Sequence, residues 1–205
     1  MKTVIVYTSV HHQNTEKVAK VMSEALEAEL IPVANAKPET LATYDLIGFG
    51  SGIYFGKHHK TLLRFVEALP PVTQKKAFVV STSGDGKMHH TALKEKLASR
   101  GFLVVDEFCC KGWDTVGPLK LFGGINKGRP DENDLAAARA FAQGLKNKAE
   151  NTILSEIILR CTKKHQSIRL GIIDKVLPPV FVKILNSSKR GGKSEFKFNP
   201  SHVFL

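Results

Sequence analysis

Apolar positions along the first three quarters of the chain follow two different periods. Short continuous apolar runs rich in β-branched residues, such as residues 3–7, are typical of strands buried on both faces of a sheet. Between them apolar residues recur every three or four positions, as Val18, Met22 and Leu26 do, which is typical of amphipathic helices. Because the two patterns alternate, the sequence predicts an α/β domain whose parallel sheet carries helices on both faces. The five predicted strands are residues 3–7, 30–33, 45–50, 76–81 and 102–108.

Residues that begin or end regular elements stand where the period changes. Pro70 and Pro71 end the helix after the third strand, and Gly101 ends the helix after the fourth. Asp131 is the expected N-cap of the last helix of the domain. Pro32 lacks a backbone N–H group and therefore favours an edge position for the second strand.

The loop between the first strand and the first helix has the features of an anion site. Asn14 or Thr15 is placed to cap the helix, and several hydroxyl groups lie nearby. Free N–H groups at a helix start and the positive end of the helix dipole favour an anion there, most often a nucleotide phosphate. The loop contains neither the P-loop motif nor the glycine-rich dinucleotide fingerprint. The alternative is a capped helix with an empty loop.

The residues of this loop resemble the FMN phosphate loop of flavodoxins, which has roughly the form Ser/Thr-x-Thr-Gly-Asn-Thr. The loop differs in having Gln13 where a glycine is expected and in being one residue longer. The resemblance implies a flavodoxin-like doubly wound sheet in the order 2-1-3-4-5, with FMN beyond the carboxyl ends of strands 1 and 3; flavodoxin is itself an example of this switch-point rule. The residues expected near the phosphate are Thr8, Ser9, His11, Gln13, Asn14 and Thr15.

The loop after the third strand carries two neighbouring aromatic residues. In flavodoxin-like proteins an aromatic of this loop lies against the flavin, and menaquinone-dependent protoporphyrinogen dehydrogenases have a similar arrangement. Tyr54 or Phe55 is therefore expected to stack on the flavin ring, unless both only cover the core. Gly52 and Gly56 allow close backbone approach. The cofactor residues expected from this loop are Gly52, Ile53, Tyr54, Phe55 and Gly56.

The loop after the fourth strand resembles the second flavin-side loop of the same family. Its backbone N–H groups are expected to reach the pyrimidine edge of the flavin, where charge grows on reduction. Asp85 is expected to face solvent or a ribityl hydroxyl, because a carboxylate beside reduced flavin is unfavourable. The cofactor residues expected here are Ser83, Gly84, Asp85 and Gly86.

Histidine pairs occur in or just after all three loops, at residues 11–12, 58–59 and 89–90. The strand assignment places all six on the ligand-facing edge of the sheet. Three interpretations remain open: ordinary polar rim residues, donors of protons or hydrogen bonds to flavin or a quinone-like substrate, and a metal site. No spacing within one element supports a metal, so no metal ligand is assigned.

The segment after the fifth strand is long and without clear periodicity. It contains Trp113 and resembles a Cys-x-Gly-Trp-Asp-Thr segment of small bacterial flavodoxin-domain proteins. A lid or partner-docking surface and an Ω-loop that only stabilises the fold are both open. Cys110 is predicted to be an inert strand-end cysteine rather than a redox thiol.

Residues 150–205 do not fit the flavodoxin pattern, so the sequence predicts a domain at 1–149 and a basic amphipathic extension at 150–205. Residues 1–149 hold 20 Lys and Arg against 15 Asp and Glu, whereas residues 150–205 hold 10 against 4. This balance favours an acidic partner or an anionic membrane surface, and no motif supports nucleic-acid binding. The extension is too interrupted to span a bilayer; peripheral membrane contact, packing on the domain and a homodimer contact are the alternatives.

The sequence therefore predicts an FMN-binding redox protein that carries electrons between partner proteins. The first alternative is an FMN-dependent oxidoreductase acting on a quinone or porphyrinogen, with its catalytic residues unassigned. The second is a flavin-free protein- or membrane-binding module. The cytoplasm is the expected location, because the three cysteines have neither a disulfide nor a metal-ligand spacing and the first residues show no signal-peptide pattern. Association with the cytoplasmic face of a membrane through the extension is the further expectation.

Overall fold

The computed structural model of the chain describes residues 1–164, and it describes the side chains of residues 1–148 apart from Pro118. The strands are β1 (Thr3–Thr8), β2 (Glu29–Pro32), β3 (Leu46–Tyr54), β4 (Lys57–His58), β5 (Lys75–Ser83) and β6 (Phe102–Lys111). The helices are α1 (Asn14–Leu26), α2 (Lys60–Glu67), α3 (Thr91–Ser99) and α4 (Glu132–Lys164). Short 3-10 turns cover Val33–Asn35, Pro38–Thr43 and Gly117–Phe122.

The sheet has the predicted flavodoxin-like doubly wound order. Its five long strands are parallel and lie in the order β2-β1-β3-β5-β6, which is 2-1-3-4-5 when only the parallel strands are counted. β2, which ends at Pro32, lies at one edge as expected. The sequence pattern did not predict β4, which pairs antiparallel with the end of β3.

Side chains of the central strands alternate between two apolar clusters, one on each face of the sheet. Val4 and Val6 of β1 pack with α2 and α3, whereas Ile5 and Tyr7 pack with α1 and α4. A strand covered on both faces buries every residue, which explains why its sequence is continuously apolar rather than alternating. Both ends of the sheet are therefore left to the loops, and ligands can approach only there.

The central strands extend further toward their carboxyl ends than predicted. β3 reaches Tyr54, β5 reaches Ser83 and β6 reaches Lys111. The residues added directly after the predicted ends of β3 and β5 are Ser51, Gly52, Thr82 and Ser83, which have little apolar character and were therefore assigned to loops. Their strand conformation brings the three loops closer together than the sequence indicated.

The predicted cap of α1 is wrong. Gln13 is the N-cap, at a φ of 55° and without a side-chain hydrogen bond, and Asn14 and Thr15 lie inside the helix. Their side chains are buried because they bond across to other loops: Asn14 Nδ2 donates to Trp113 O at 2.8 Å, and the hydroxyl oxygens of Thr15 and Thr82 lie 2.9 Å apart. The two side chains therefore connect the start of α1 to the carboxyl ends of β5 and β6 and do not cap the helix.

The start of α4 is the one predicted. The backbone N–H of Asp134 donates to Asp131 Oδ1 at 3.0 Å, and the N–H of Asp131 donates back to Asp134 Oδ2 at 3.0 Å. This reciprocal arrangement is a capping box with aspartate in the third position. The compact unit that contains the sheet ends at Leu154.

None of the helices within residues 1–164 combines the length and the apolar character that a bilayer span needs. The boundary between 149 and 150 stays a prediction. The expectations for membrane or dimer contacts of the extension fall largely on residues 165–205, outside the described part of the chain.

Candidate functional site: a cleft at the carboxyl ends of the strands

A cleft opens at the carboxyl ends of β1, β3 and β5, and it encloses about 380 Å³ when the space at its open mouth is included. This is the end of the sheet at which ligands of doubly wound proteins bind. The cleft is lined by Ser9, Val10, His11, Asn14, Thr15, Gly52, Ile53, Tyr54, Thr82, Ser83, Gly84, Gly112, Trp113, Asp114 and Val116.

At the α1 end the cleft is polar and carries no charged side chain. Ser9 Oγ accepts a hydrogen bond from the N–H of Glu16 at 3.3 Å, within the first turn of the helix. Thr8 Oγ1 and Asn14 Oδ1 are buried and have no hydrogen-bond partner in the described part of the chain. Buried polar atoms almost always have a partner, so this end is suited to a ligand that supplies one. Neutral donors at a helix start can hold a phosphate without a lysine or arginine.

Tyr54 forms one aromatic wall. Its ring lies 5.9 Å from the ring of His11 and edge-on to His59 at 5.2 Å, measured between ring centroids. Burial, and then the charge of Asp114, raises the pKa of the Tyr54 hydroxyl, so this group stays a neutral donor. Gly52 lies directly beneath the ring, where an added Cβ would stand 3.1 Å from it.

Phe55 does not line the cleft, although it was predicted as an alternative stacking residue. It occupies the first position of a two-residue turn between β3 and β4, at a φ of 50°, followed by Gly56 at 72°. Positive φ at both central residues is typical of a type I′ hairpin turn. This geometry directs the side chain into solvent, where Phe55 is 95% exposed.

Trp113 also lines the cleft. Its ring stacks on that of His12, with centroids 3.8 Å apart and planes 19° from parallel, and its Nε1 donates to Gly123 O at 3.0 Å. His12 Nε2 lies 2.8 Å from Thr115 Oγ1, which ties the first loop to the segment after β6. This segment is therefore part of the cleft, consistent with the lid interpretation.

The third loop approaches the Trp113 segment closely at Gly84. A Cβ at Gly84 would lie 2.6 Å from Asp114 Oδ2, and Asn126 Nδ2 donates to Gly84 O at 2.6 Å. Asp114 brings the one carboxylate among the lining side chains. Its Oδ1 accepts the N–H of Val116 at 2.8 Å, so its position is held by its own segment.

Asp85 faces solvent, which is one of the two orientations expected for it; the other was toward a ribityl hydroxyl. Its carboxylate accepts hydrogen bonds from Ser83 Oγ at 2.8 Å and from the N–H of Lys87 at 3.0 Å, and it lies 2.8 Å from His89 Nε2. The N–H of Lys87 and then His89 hold the pKa of this carboxyl well below its usual range. Asp85 therefore shapes the loop and leaves the backbone of Ser83 and Gly84 facing the cleft.

Nine of the fifteen predicted cofactor residues line the cleft: Ser9, His11, Asn14, Thr15, Gly52, Ile53, Tyr54, Ser83 and Gly84. The other six, Thr8, Gln13, Phe55, Gly56, Asp85 and Gly86, lie beside it. The structure adds Val10, Thr82, Gly112, Asp114 and Val116, together with Trp113, which the sequence marked only as a lid candidate. In the sequence, only the Trp113-Asp114 pair after the fifth strand indicated that this segment lines the cleft. Nothing in the sequence indicated that Thr82 would contact Thr15.

The prediction that all six paired histidines lie at the ligand-facing edge is wrong for two of them, His58 and His90. His58 and His90 are each 2% exposed and lie on the α2–α3 face of the sheet. His58 Nδ1 lies 2.9 Å from Ser51 Oγ, His90 Nε2 lies 2.7 Å from Ser81 Oγ, and the two rings are 5.2 Å apart. His58 lies in β4 and His90 at the N-cap of α3, and in each pair one histidine is directed into the core.

Ser81, His90 and Glu107 form a chain of hydrogen bonds that runs from the core to the partly exposed Glu107, because His90 Nδ1 also lies 2.9 Å from Glu107 Oε2. Burial lowers the pKa of His90, although Glu107 opposes the shift. Burial, followed by the neighbouring His90, lowers the pKa of His58 to about 3. Both imidazoles are therefore neutral at pH 7, and Ser51 and Ser81 hold the strand ends that lead into the cleft.

The two described cysteines, Cys109 and Cys110, are both free. Burial raises the pKa of Cys110 to about 12, and this agrees with the predicted inert role. Within residues 1–164 no group of three or more His, Cys, Asp or Glu side chains is arranged to hold a metal ion.

A doubly wound parallel sheet with a small-molecule cleft at its switch point defines a protein of the flavodoxin-like class. Comparison with known families gives the same result: residues 4–112 match the model of the flavodoxin domain family. An uncharacterized protein of Methanocaldococcus jannaschii is 49% identical over 148 residues, which are 71% of this chain and 98% of that protein. The chain belongs to the flavodoxin domain family.

Solved structures agree on the fold. Oxidised flavodoxin 2 from Bacillus cereus superposes with a TM-score of 0.56 at 22% identity, over 72% of this chain and 99% of that one. The WrbA-like flavodoxin protein from Agrobacterium tumefaciens gives 0.52 at 20% identity, over 73% and 98% of the two chains. A flavodoxin from the domain Archaea gives 0.52 at 17% identity, over 73% and 99%.

Proposed function

We propose that this chain binds FMN in the cleft and carries electrons between partner proteins. Membership of the flavodoxin domain family supports a flavin redox protein, and the cleft supplies the features that FMN requires. Bound FMN would supply one- or two-electron redox chemistry. The protein's part is to bind the cofactor, orient its ring and limit its contact with water.

The observation that carries the proposal is the match between the cleft and the three parts of FMN. The neutral hydroxyls and helix start around Ser9, Asn14 and Thr15 suit the phosphate, and the orphaned Asn14 Oδ1 suits a ribityl hydroxyl. The walls of Tyr54 and Trp113 suit a flat aromatic ring. The backbone of Ser83 and Gly84 suits the polar edge of that ring. The residues present therefore fit the cofactor.

The test is a visible absorption spectrum of the purified chain, repeated after FMN is added and the sample is desalted. We expect flavin bands to remain, and titration with a reductant to bleach them in two resolved one-electron steps. Tyr54→Ala should weaken FMN binding about tenfold or more, because a stacked aromatic contact contributes about 1–3 kcal/mol. Phe55→Ala is the matched control, since its ring lies outside the cleft; equal loss in both variants contradicts this placement of the ring.

A second candidate function is an FMN-dependent oxidoreductase acting on a quinone or porphyrinogen. It is favoured by the imidazoles of His11 and His59, which lie against Tyr54 where they could exchange protons with a substrate. Burial, then Lys60 and His11, lowers the pKa of His59. Rapid turnover of small quinones by the reduced protein, lost in His59→Asn, supports the enzyme; slow turnover that His59→Asn leaves unchanged supports the carrier.

Absence of retained flavin at saturating FMN contradicts both redox proposals and favours a flavin-free binding module. For location we propose the cytoplasm, on the ground that the three cysteines of the sequence form no disulfide framework. A fusion to a compartment-specific reporter tests this directly.

A further inference from the structure

Exposed apolar side chains gather around the mouth of the cleft. Nine large apolar side chains are exposed in the described part of the chain, and six of them lie on loops at the carboxyl ends of the strands. Contiguous exposed apolar surface on a soluble protein marks an interaction site. We call these six residues the apolar rim: Val10, Phe55, Met88, Leu121, Phe122 and Ile125, of which Phe55, Phe122 and Leu121 are 95%, 85% and 84% exposed.

Positive charge is concentrated on the same loops. Residues 9–13, 55–60, 84–90 and 111–128 contain six lysines and two carboxylates, whereas the segments that lead into the next strands, 27–28, 33–45, 68–74 and 100–101, contain two cations and three carboxylates. The charge of the domain is thus strongly polarised toward the cleft. We call the six the lysine ring: Lys57, Lys60, Lys87, Lys111, Lys120 and Lys127.

The two carboxylates on these loops offset only part of the six positive charges of the lysine ring. Asp85 is held by Ser83, by the N–H of Lys87 and by His89. Asp114 lies in the cleft lining and accepts the N–H of Val116. A molecule that approaches the mouth therefore meets ammonium groups and apolar side chains.

We propose that the apolar rim and the lysine ring form the docking surface for an acidic electron-transfer protein. The proposal rests on the proposed redox function, since docking here would bring the partner's redox centre to the mouth of the cleft. An apolar centre within charged residues is the usual composition of a transient protein interface, and complementary charge steers the encounter. The rim residues come from four separate loops that surround an opening. That arrangement suits a convex partner better than a flat lipid surface.

The test uses the full chain and two probes, an acidic and a basic c-type cytochrome, which share a cofactor and differ in charge. The flavin-loaded protein is reduced photochemically, and its electron transfer to each oxidised cytochrome is followed by stopped flow at rising salt. We expect faster transfer to the acidic cytochrome at low salt. Salt should slow that reaction and accelerate the one with the basic cytochrome, because screening removes attraction in the first case and repulsion in the second.

Charge reversals separate the lysine ring from the overall charge of the chain. Lys57→Glu with Lys87→Glu should slow transfer to the acidic cytochrome about tenfold at low salt. The control, Lys37→Glu with Lys76→Glu, makes the same change in net charge away from the cleft and should stay within about twofold. Equal effects of the two pairs overturn the proposal, as does an acidic cytochrome that reacts no faster than the basic one.

The apolar rim is tested by a second matched pair. Leu121→Ser with Phe122→Ser should weaken docking at every salt concentration, whereas Leu103→Ser with Val105→Ser, which removes two exposed apolar side chains of β6, should leave it unchanged. Loss in both pairs, or in neither, overturns the role of the rim.

Binding of the two cytochromes is also measured by surface plasmon resonance on the flavin-free chain. This readout keeps the two proposals distinguishable: no retained FMN contradicts the proposed function, while selective binding of the acidic cytochrome still supports the docking surface. Vesicles containing phosphatidylserine are the third probe. The proposal of a protein partner is overturned in favour of a membrane by two results together. The chain sediments with the vesicles unless Lys57 and Lys87 are both replaced by glutamate, and it does not bind the acidic cytochrome.

Discussion

Acid is expected to destabilise this protein well above the pH at which its carboxylates become protonated, because two imidazoles are buried uncharged. His58 is 2% exposed, and burial followed by the neighbouring His90 lowers its pKa from 6.5 to about 3. In the unfolded chain the same group titrates near 6.5. Between these two values the unfolded chain binds a proton that the folded chain does not. The stability contributed by neutral His58 is therefore complete above pH 6.5 and is lost as the pH falls toward 3.

The size of the effect follows from the separation of the two pKa values. Each unit is worth about 1.4 kcal/mol, so His58 alone should lower the free energy of unfolding by about 2 kcal/mol at pH 5 and by about 5 kcal/mol near pH 3. His90 acts in the same direction. Although burial opposes the shift, hydrogen bonds from His90 and Lys94 lower the pKa of Glu107, and its contribution is lost only below about pH 4.5. The histidines thus dominate between pH 7 and pH 5.

Urea unfolding followed by circular dichroism at pH 7 and pH 5, without added flavin, measures this difference. His58→Asn keeps a group that can bond to Ser51 but cannot be protonated; it should be less stable at pH 7 and should lose about 2 kcal/mol less than the native chain on acidification. Phe55→Ala, which removes an exposed side chain that does not titrate, is the control and should keep the native pH dependence. An unfolding free energy that is flat between the two pH values, or the same slope in His58→Asn, would refute the reasoning.

Three further substitutions have effects that the backbone determines. Phe55→Asn should stabilise the chain by about 0.5–1 kcal/mol, measured by urea unfolding, because asparagine tolerates the positive φ that the turn requires. Gly101→Ala should destabilise it by about 2 kcal/mol or more in the same assay, since φ is +86° and the added Cβ would lie 1.7 Å from Val72 O; Gly144→Ala, with open space around it, is the control. Asp131→Ala removes the acceptor for the N–H of Asp134 and should lower the midpoint of thermal unfolding by a few degrees, at about 1 kcal/mol.

The fold was predictable because the three central strands, β1, β3 and β5, are covered on both faces along most of their length. Such strands have to be continuously apolar, and the helices between them have to present one apolar face, so the sequence shows two distinct periods. The strand ends were not predictable in the same way. Ser51 and Gly52 of β3 and Thr82 and Ser83 of β5 continue the ladder with side chains that carry no apolar signal, since they lie where the sheet meets the cleft.

The candidate site was predictable only where one loop is enough to define it. Asn14 and Thr15 begin the helix after β1, and Tyr54 is the last residue of β3, so their position at the cleft follows from the strand order. Asp114 lies against Gly84 in a segment that folds back to pair with Ile125, and His58 turns into the core because a short unpredicted strand, β4, fixes its direction. Contacts that depend on such segments have no periodic signature in the sequence.

Phe55 connects the local strain of the fold to its docking surface. A non-glycine residue other than asparagine or aspartate at positive φ is unfavourable, and a phenylalanine that is 95% exposed gains almost no burial in return. A turn built for stability alone would carry asparagine followed by glycine. The side chain gains burial only when another surface covers the mouth of the cleft, so its unfavourable position in the free chain is itself an argument for a partner. If that is correct, Phe55→Asn raises the stability of the free protein and weakens its complex with the acidic cytochrome, two effects of opposite sign from one substitution.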